Sequence, residues 1–81
     1  MKAELTIKML YEDVVVFCDC GRGHQEYRVA IGETFEVNGC VVKLDDIVCN
    51  DSDDDRVYLL IGKRRIFLGV QDSLSFKHRY H

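Results

Sequence analysis

The sequence predicts a small all-β domain, an antiparallel barrel or compact sandwich of six to seven short strands joined by hairpins. Three observations predict it. Apolar residues recur at period two through the first segment and both sides of Asn38-Gly39, and no segment carries the period of an amphipathic helix. Asn38-Gly39 stands between two such runs, the strongest short-range signal of a type I′ hairpin. The 81 residues contain no proline, so glycine, asparagine and aspartate must make the turns. One domain spanning residues 1–81 is the count this length supports, with a core that leaves a thin margin of stability.

Each segment supports the β reading. In "KAELTIKML", Ala3, Leu5, Ile7 and Met9 fall on one side and Lys2, Glu4, Thr6 and Lys8 on the other, as in a half-buried strand. Glu12-Asp13 turns the chain. "VVVFC" is apolar on both faces, as a central strand is. Gly21 and Gly23 allow the tight connection to "QEYRVAI", and Gly32 ends that strand. Around Asn38-Gly39, Val37 pairs with Cys40 and Phe35 with Val42 on one face, while Glu36 and Lys43 point away. The next hairpin, "RVYLLIGKRRIFLGV", is expected to turn at Lys63-Arg64, with Ile61 opposite Ile66 and Leu59 opposite Leu68. Val57, Leu59, Ile61, Ile66, Leu68 and Val70 then share one face, and Tyr58, Leu60 and Phe67 the other. Closed, these strands make a barrel of OB or Sm-like size; open, a two-layer sandwich. Closure removes edge strands, which favours the barrel. No repeat, low-complexity tract or linker is visible.

The formal net charge of −3 is too small to choose a partner, but its distribution is uneven. Residues 45–55 carry Asp45, Asp46, Asp51, Asp53, Asp54 and Asp55 with no lysine or arginine. Residues 56–81 carry Arg56, Lys63, Arg64, Arg65, Lys77 and Arg79 against Asp72 alone. Such a chain attracts its own copies or an anionic partner. "MKAELTIKML" has neither the apolar core nor the cleavage site of a signal peptide, and no run approaches a membrane span. The expectation is a cytoplasmic protein without membrane contact, whose cysteines are free or metal-bound.

The candidate metal ligands are Cys18, Cys20, His24, Cys40 and Cys49, since zinc takes thiolate and imidazole in a tetrahedron. The single residue between Cys18 and Cys20 is shorter than the usual structural spacing, and Cys40 and Cys49 have no knuckle around them. The competing readings are buried cysteines acting as small hydrophobes, which suits Cys18 and Cys40, and a disulfide from Cys18 or Cys20 to Cys40 or Cys49. Arg22 and His24 would favour a reactive thiolate at Cys20. No orienting group or oxyanion site accompanies it, so the chain reads as no enzyme, with zinc as its one candidate cofactor. Asp51, Asp53 and Asp55 are spaced like the start of a calcium loop. Arg56 stands where that loop needs glycine and Gly62 where it needs glutamate, which leaves a solvated acidic turn.

Two surfaces are candidates for binding a macromolecule. For protein contacts these are Tyr58, Leu60 and Phe67, flanked by the basic tip Lys63, Arg64 and Arg65 and by the acidic Asp53 and Asp54; aromatic anchors with a charged rim give affinity and orientation. For a nucleic acid they are Arg64, Arg65, Lys77 and Arg79, with Phe67, Phe76 and Tyr80 interleaved as stacking groups. Net acidity weighs against the second. "VAIGETFEVNG", with "VVKL" and "RVYLLI", resembles the strand pattern of the carbon-storage-regulator family, small dimeric β proteins that bind messenger RNA. The two-hairpin rhythm is equally similar to small β domains of secretion-system proteins. The N-terminal extension, acidic insertion and acidic total depart from that regulator family, and no functional residue carries over. The expected function is a non-catalytic binding module acting through protein–protein contacts, as adaptor, regulator or inhibitor, with another protein or its own copy as a homodimer. The alternatives are a nucleic-acid-binding regulator and a zinc-stabilised or thiol-redox module.

Overall fold

The computed structural model describes residues 3–21, 25–49 and 55–76. Its strands are β1 (Ala3–Leu10), β2 (Val14–Asp19), β3 (Gln25–Ala30), β4 (Thr34–Val37), β5 (Cys40–Val48), β6 (Arg56–Ile61), β7 (Arg64–Gly69) and β8 (Ser73–Phe76). They form two antiparallel sheets, ordered β3-β2-β1-β8 and β4-β5-β6-β7. Of the two expected arrangements this is the sandwich, and it keeps edge strands. Two of these edges, β4 and β8, are only four residues long, and the other two carry charges such as Glu26, Arg28, Arg64 and Arg65. Short and charged edges resist pairing with another chain.

The eighth strand is one more than the six to seven expected, and it corrects the place given to Phe76. Phe76 is no stacking group on a basic surface: it is buried in the core and pairs with Ala3. The alternation Leu74–Phe76 with Ser73 and Ser75 is a strand pattern too short to stand out before a charged run.

The sequence conceals a repeat. Strands β1 to β4 correspond in order to β5 to β8, and every strand pairing has a twin. Val15 opposes Val29 as Val57 opposes Leu68, and Phe17 opposes Tyr27 as Leu59 opposes Ile66. Leu5 opposes Leu74 as Val42 opposes Phe35. The Ile31 N–H donates to the Asp13 carbonyl as that of Val70 donates to Asp55, at 3.1 and 3.3 Å. A side-chain turn recurs too: the Ala30 N–H donates to Glu33 and the Gly69 N–H to Asp72. Each half places three strands in its own sheet and passes its fourth to the edge of the other sheet, so the halves cannot separate without breaking both sheets.

A β-bulge lies at twin positions, between Ile7 and Met9 in β1 and between Leu44 and Asp46 in β5. The extra residue reverses the alternation. Met9 therefore faces outward, 46% exposed, and Leu10 packs against the core, contrary to the unbroken alternation expected of this strand. The β4–β5 hairpin has the expected register, with Asn38 at φ 53° and Gly39 at φ 81° as a type I′ turn needs. The β6–β7 hairpin turns one residue earlier than expected, at Gly62-Lys63, so that Ile61 opposes Arg64 and Leu59 opposes Ile66. Gly62, at φ 63°, supplies the positive φ of the first turn position, which Lys63 would have had to adopt in a turn one residue later. The partner moves by two residues, so the faces stay as expected.

The inner faces meet in one core: Ala3, Leu5, Val15, Phe17, Val29, Val37, Val42, Leu44, Val57, Leu59, Leu68 and Phe76. Phe35 of β4 stacks on Phe17 across the core, with ring centroids 5.1 Å apart, and meets Tyr27 at 5.3 Å. The twins of these aromatics are Leu74, Leu59 and Ile66. Two of them, Ile66 and Leu74, border a cleft of about 390 Å³ with Cys40, Ile61 and Arg64.

Ala3 opposes Phe76 as Cys40 opposes Val37. The Asn38-Gly39 turn thus stands at the twin of the gap between Phe76 and Ala3. A permuted chain with residue 81 joined to residue 1 and opened between Asn38 and Gly39 is expected to fold to the same sandwich. Its stability in urea should lie within about 1 kcal/mol of the parent, since closure free energy varies slowly with loop length. Failure to fold, even with a lengthened joint, would mean that the halves are not interchangeable.

Candidate functional site

The twin relation separates what the fold needs from what it does not. A feature present in both halves serves the architecture; a feature present in one half invites another explanation. The outer faces of the two sheets differ in this way.

On the second sheet, Arg56, Tyr58 and Leu60 of β6 alternate with buried Val57 and Leu59 and so face outward. Tyr58 lies opposite Phe67, with ring centroids 6.1 Å apart and ring planes at 50°. Phe67 is 62% exposed. The Arg65 guanidinium lies over the Tyr58 ring, 4.2 Å from its centroid, and its Nε donates to the Asp45 carboxylate at 2.8 Å. Arg56 reaches toward both rings, 5.9 Å from the Tyr58 centroid and 6.0 Å from that of Phe67, and its Nε is buried without a hydrogen-bond partner among the described residues. The result is an outward-facing aromatic pair, Phe67 exposed and Tyr58 half-buried, held between two guanidinium groups, one anchored by a carboxylate.

The first sheet carries no aromatic pair at the twin positions. Val16 stands for Tyr58, Arg28 for Phe67, Cys18 for Leu60 and Glu26 for Arg65. The ion pair is kept with its polarity reversed: Lys8 donates to Glu26 where Arg65 donates to Asp45. The Glu26 carboxylate beside it holds the Lys8 amine above its ordinary range. Among the described residues, no aromatic ring stands on the outer strand face of the first sheet; its one exposed ring, Tyr11, lies in the β1–β2 turn.

The expected protein-binding residues are therefore partly gathered. Tyr58, Leu60, Phe67 and Arg65 share one face. Lys63 sits in the exposed turn. Arg64 alternates with Arg65 along β7 and borders the lateral cleft instead. Asp53 and Asp54 lie outside the described residues, as do Lys77 and Arg79 of the nucleic-acid set. Arg64 and Arg65 thus do not join in one basic patch. The sequence does not single out Arg56 as a stacking group or Asp45 as the partner of Arg65, although Arg56 two residues before Tyr58 is the signal for the first.

Cys18 and Cys20 lie together, with sulfur atoms 3.7 Å apart, and Cys18 faces outward between buried Phe17 and Asp19 instead of filling the core. Cys40 packs against the core beside Val37, as expected. Cys49 is exposed, its sulfur 3.9 Å from the Tyr11 carbonyl. His24 and Arg22 lie outside the described residues. All four cysteines are free, and no group of three His, Cys, Asp or Glu side chains is arranged to hold a metal among the described residues. Burial first, then the adjacent Cys20 thiol and the Glu26 carboxylate, push the Cys18 thiol up against the pull of Lys8. Burial, with Asp55 and Glu12, pushes that of Cys49 up. Neither is set up as a ready thiolate.

No helix among the described residues is long and apolar enough to cross a membrane. No family model, curated protein or solved structure matches the chain. What defines its class is its own geometry, a two-fold repeated β-sandwich with one aromatic outer face.

Proposed function

We propose that this chain is a non-catalytic binding module that recognises another protein, or its own copy, through the outer face of the second sheet. The observation that carries the proposal is the Tyr58–Phe67 pair, facing outward on one sheet with Phe67 exposed, and replaced by Val16 and Arg28 on the other. The twin sheet folds without such rings, so they are not a requirement of the architecture. Tyrosine and arginine dominate the energetics of protein interfaces, and a stacked, ion-paired arginine loses little freedom on binding. An adaptor, regulator or inhibitor of the cytoplasm would use such a face. The competing nucleic-acid reading has less support, since Arg64 and Arg65 diverge and Asp45 already offsets the charge of Arg65.

The test compares partner capture by the parent chain with capture by Phe67→Ser and Tyr58→Ser, after nuclease treatment and in parallel with sedimentation of the chain alone. Phe67→Ser is expected to weaken binding by about 2 kcal/mol or more, some thirtyfold. Its stability should move by no more than about 0.5 kcal/mol, since the ring is largely in solvent. A homodimer would become a monomer in the same variant. Capture that survives both substitutions, or that vanishes with nuclease, would sink this reading.

A further inference from the structure

The thiol pair on the first sheet serves neither the core nor the aromatic face. Side chains two apart on one face of a straight strand stand about 7 Å from each other, yet the sulfur atoms of Cys18 and Cys20 are 3.7 Å apart. The cause lies between them. Asp19 is only 2% exposed, on an inner face otherwise apolar. Its Oδ1 accepts from the Gly21 N–H and from the Glu4 N–H, both at 3.0 Å. The first of these bonds closes a side-chain turn at the last residue of β2, so the chain curls and carries Cys20 toward Cys18. The Cys20 N–H donates to the Glu4 carbonyl at 3.0 Å, and Thr6 Oγ1 lies 3.9 Å from the Cys20 sulfur and 3.3 Å from the Cys18 carbonyl. The twin corner, Leu60-Ile61-Gly62, makes its hairpin without thiol or carboxylate. The carboxylate is therefore peculiar to this corner. A buried carboxylate is costly to desolvate, and this one is spent on a turn that brings two thiols together.

We propose that Cys18 and Cys20 form a two-thiolate site for a thiophilic divalent cation of the zinc class. A tetrahedral ion with metal–sulfur bonds of about 2.3 Å requires its sulfur ligands about 3.8 Å apart, and the observed separation needs almost no adjustment. Thiolates select soft and borderline ions over magnesium or calcium. Cys20 is exposed and Cys18 half-buried, so solvent reaches the pair. Glu26 lies opposite Cys18 in the register, ion-paired to Lys8, and Glu4 stands two residues before Thr6 on the same strand, so both acidic and basic side chains border the pair. On binding, both sulfur–hydrogen bonds break, two sulfur–metal bonds form, and two protons pass to the buffer. No electron is transferred. Two coordination positions stay open for water or a further ligand. Protons compete for the same sulfurs, so affinity rises with pH.

The test is a Cd²⁺ titration of the reduced full chain, followed by the near-ultraviolet thiolate-to-metal absorption and by proton release, with Zn²⁺ as competitor. The expected result is one ion per chain and two protons released, with the band lost in Cys18→Ser and in Cys20→Ser and kept in a Cys40→Ser, Cys49→Ser double variant. Circular dichroism of the same samples checks that each variant folds. A band that persists when both Cys18 and Cys20 are serine, or that requires Cys49, or a folded parent chain that shows no saturable band, overturns the proposal.

Discussion

Phe17→Ala is expected to destabilise the domain by about 3–5 kcal/mol. A chain of this size holds about 4–12 kcal/mol in all, so the variant should melt on the order of 20 °C lower and sit near the edge of folding. Phe17 is fully buried in the central strand β2 and stacks on Phe35 from the opposite sheet, which also touches Tyr27. Removing the ring breaks the stacked one of the two aromatic contacts between the sheets in that half, leaving Tyr27 on Phe35, and opens a void in the core. The twin position supplies the control. Leu59 does the same task in β6 with neighbours Ile66 and Leu74. Phe17→Leu should therefore cost only about 1 kcal/mol. Thermal melting of the three proteins checks it. A loss below about 1 kcal/mol for alanine would mean that the sheets are held elsewhere.

How much of this could be read beforehand differs from element to element, for physical reasons. The faces of β4 to β7 were readable because period two survives any even error. The β6–β7 turn was placed one residue late, yet Tyr58 and Phe67 still fell on the outer face. The bulges were not readable: Lys8 and Asp45 are ordinary strand-face residues, and only pairing with β2 and β6 makes each the extra one. The repeat was hidden because identity persists only at pairs such as Val15–Val57 and Asp13–Asp55. Elsewhere only character is kept, as in Ile31 and Val70, Glu33 and Asp72, or Thr34 and Ser73. Burial selects apolarity and not a particular residue, so two halves can drift apart in sequence and keep every pairing. At the candidate site, the aromatic pair was visible from the sequence. The stacking of Arg65 on Tyr58 and its tie to Asp45 were not, since the first is a diagonal contact across a hairpin and the second joins residues twenty apart. The closeness of Cys18 and Cys20 was hidden as well, because a plain strand would have held them apart.

Asp19→Ala is expected to cost about 2–3 kcal/mol, because two backbone N–H groups, of Glu4 and Gly21, lose their acceptor together. The loss has a location as well as a size. Amide exchange should accelerate at Glu4 and Gly21, and little at Gly69 or Val70 on the far sheet, if the carboxylate acts as a local tie between β1 and the end of β2. Asp19→Asn keeps an oxygen at the same place and should recover most of the stability. Asp19→Ile installs the residue of the twin corner. It should repack the inner face while leaving both N–H groups unpaired, so it separates packing from hydrogen bonding. The same series bears on the thiols. If the turn held by Asp19 brings Cys20 to Cys18, Cd²⁺ affinity should fall in the alanine and isoleucine variants and persist in asparagine, even at temperatures where all four proteins are fully folded. An alanine variant as stable as the parent, with unchanged exchange at Glu4 and Gly21, would show that this buried carboxylate holds nothing in place.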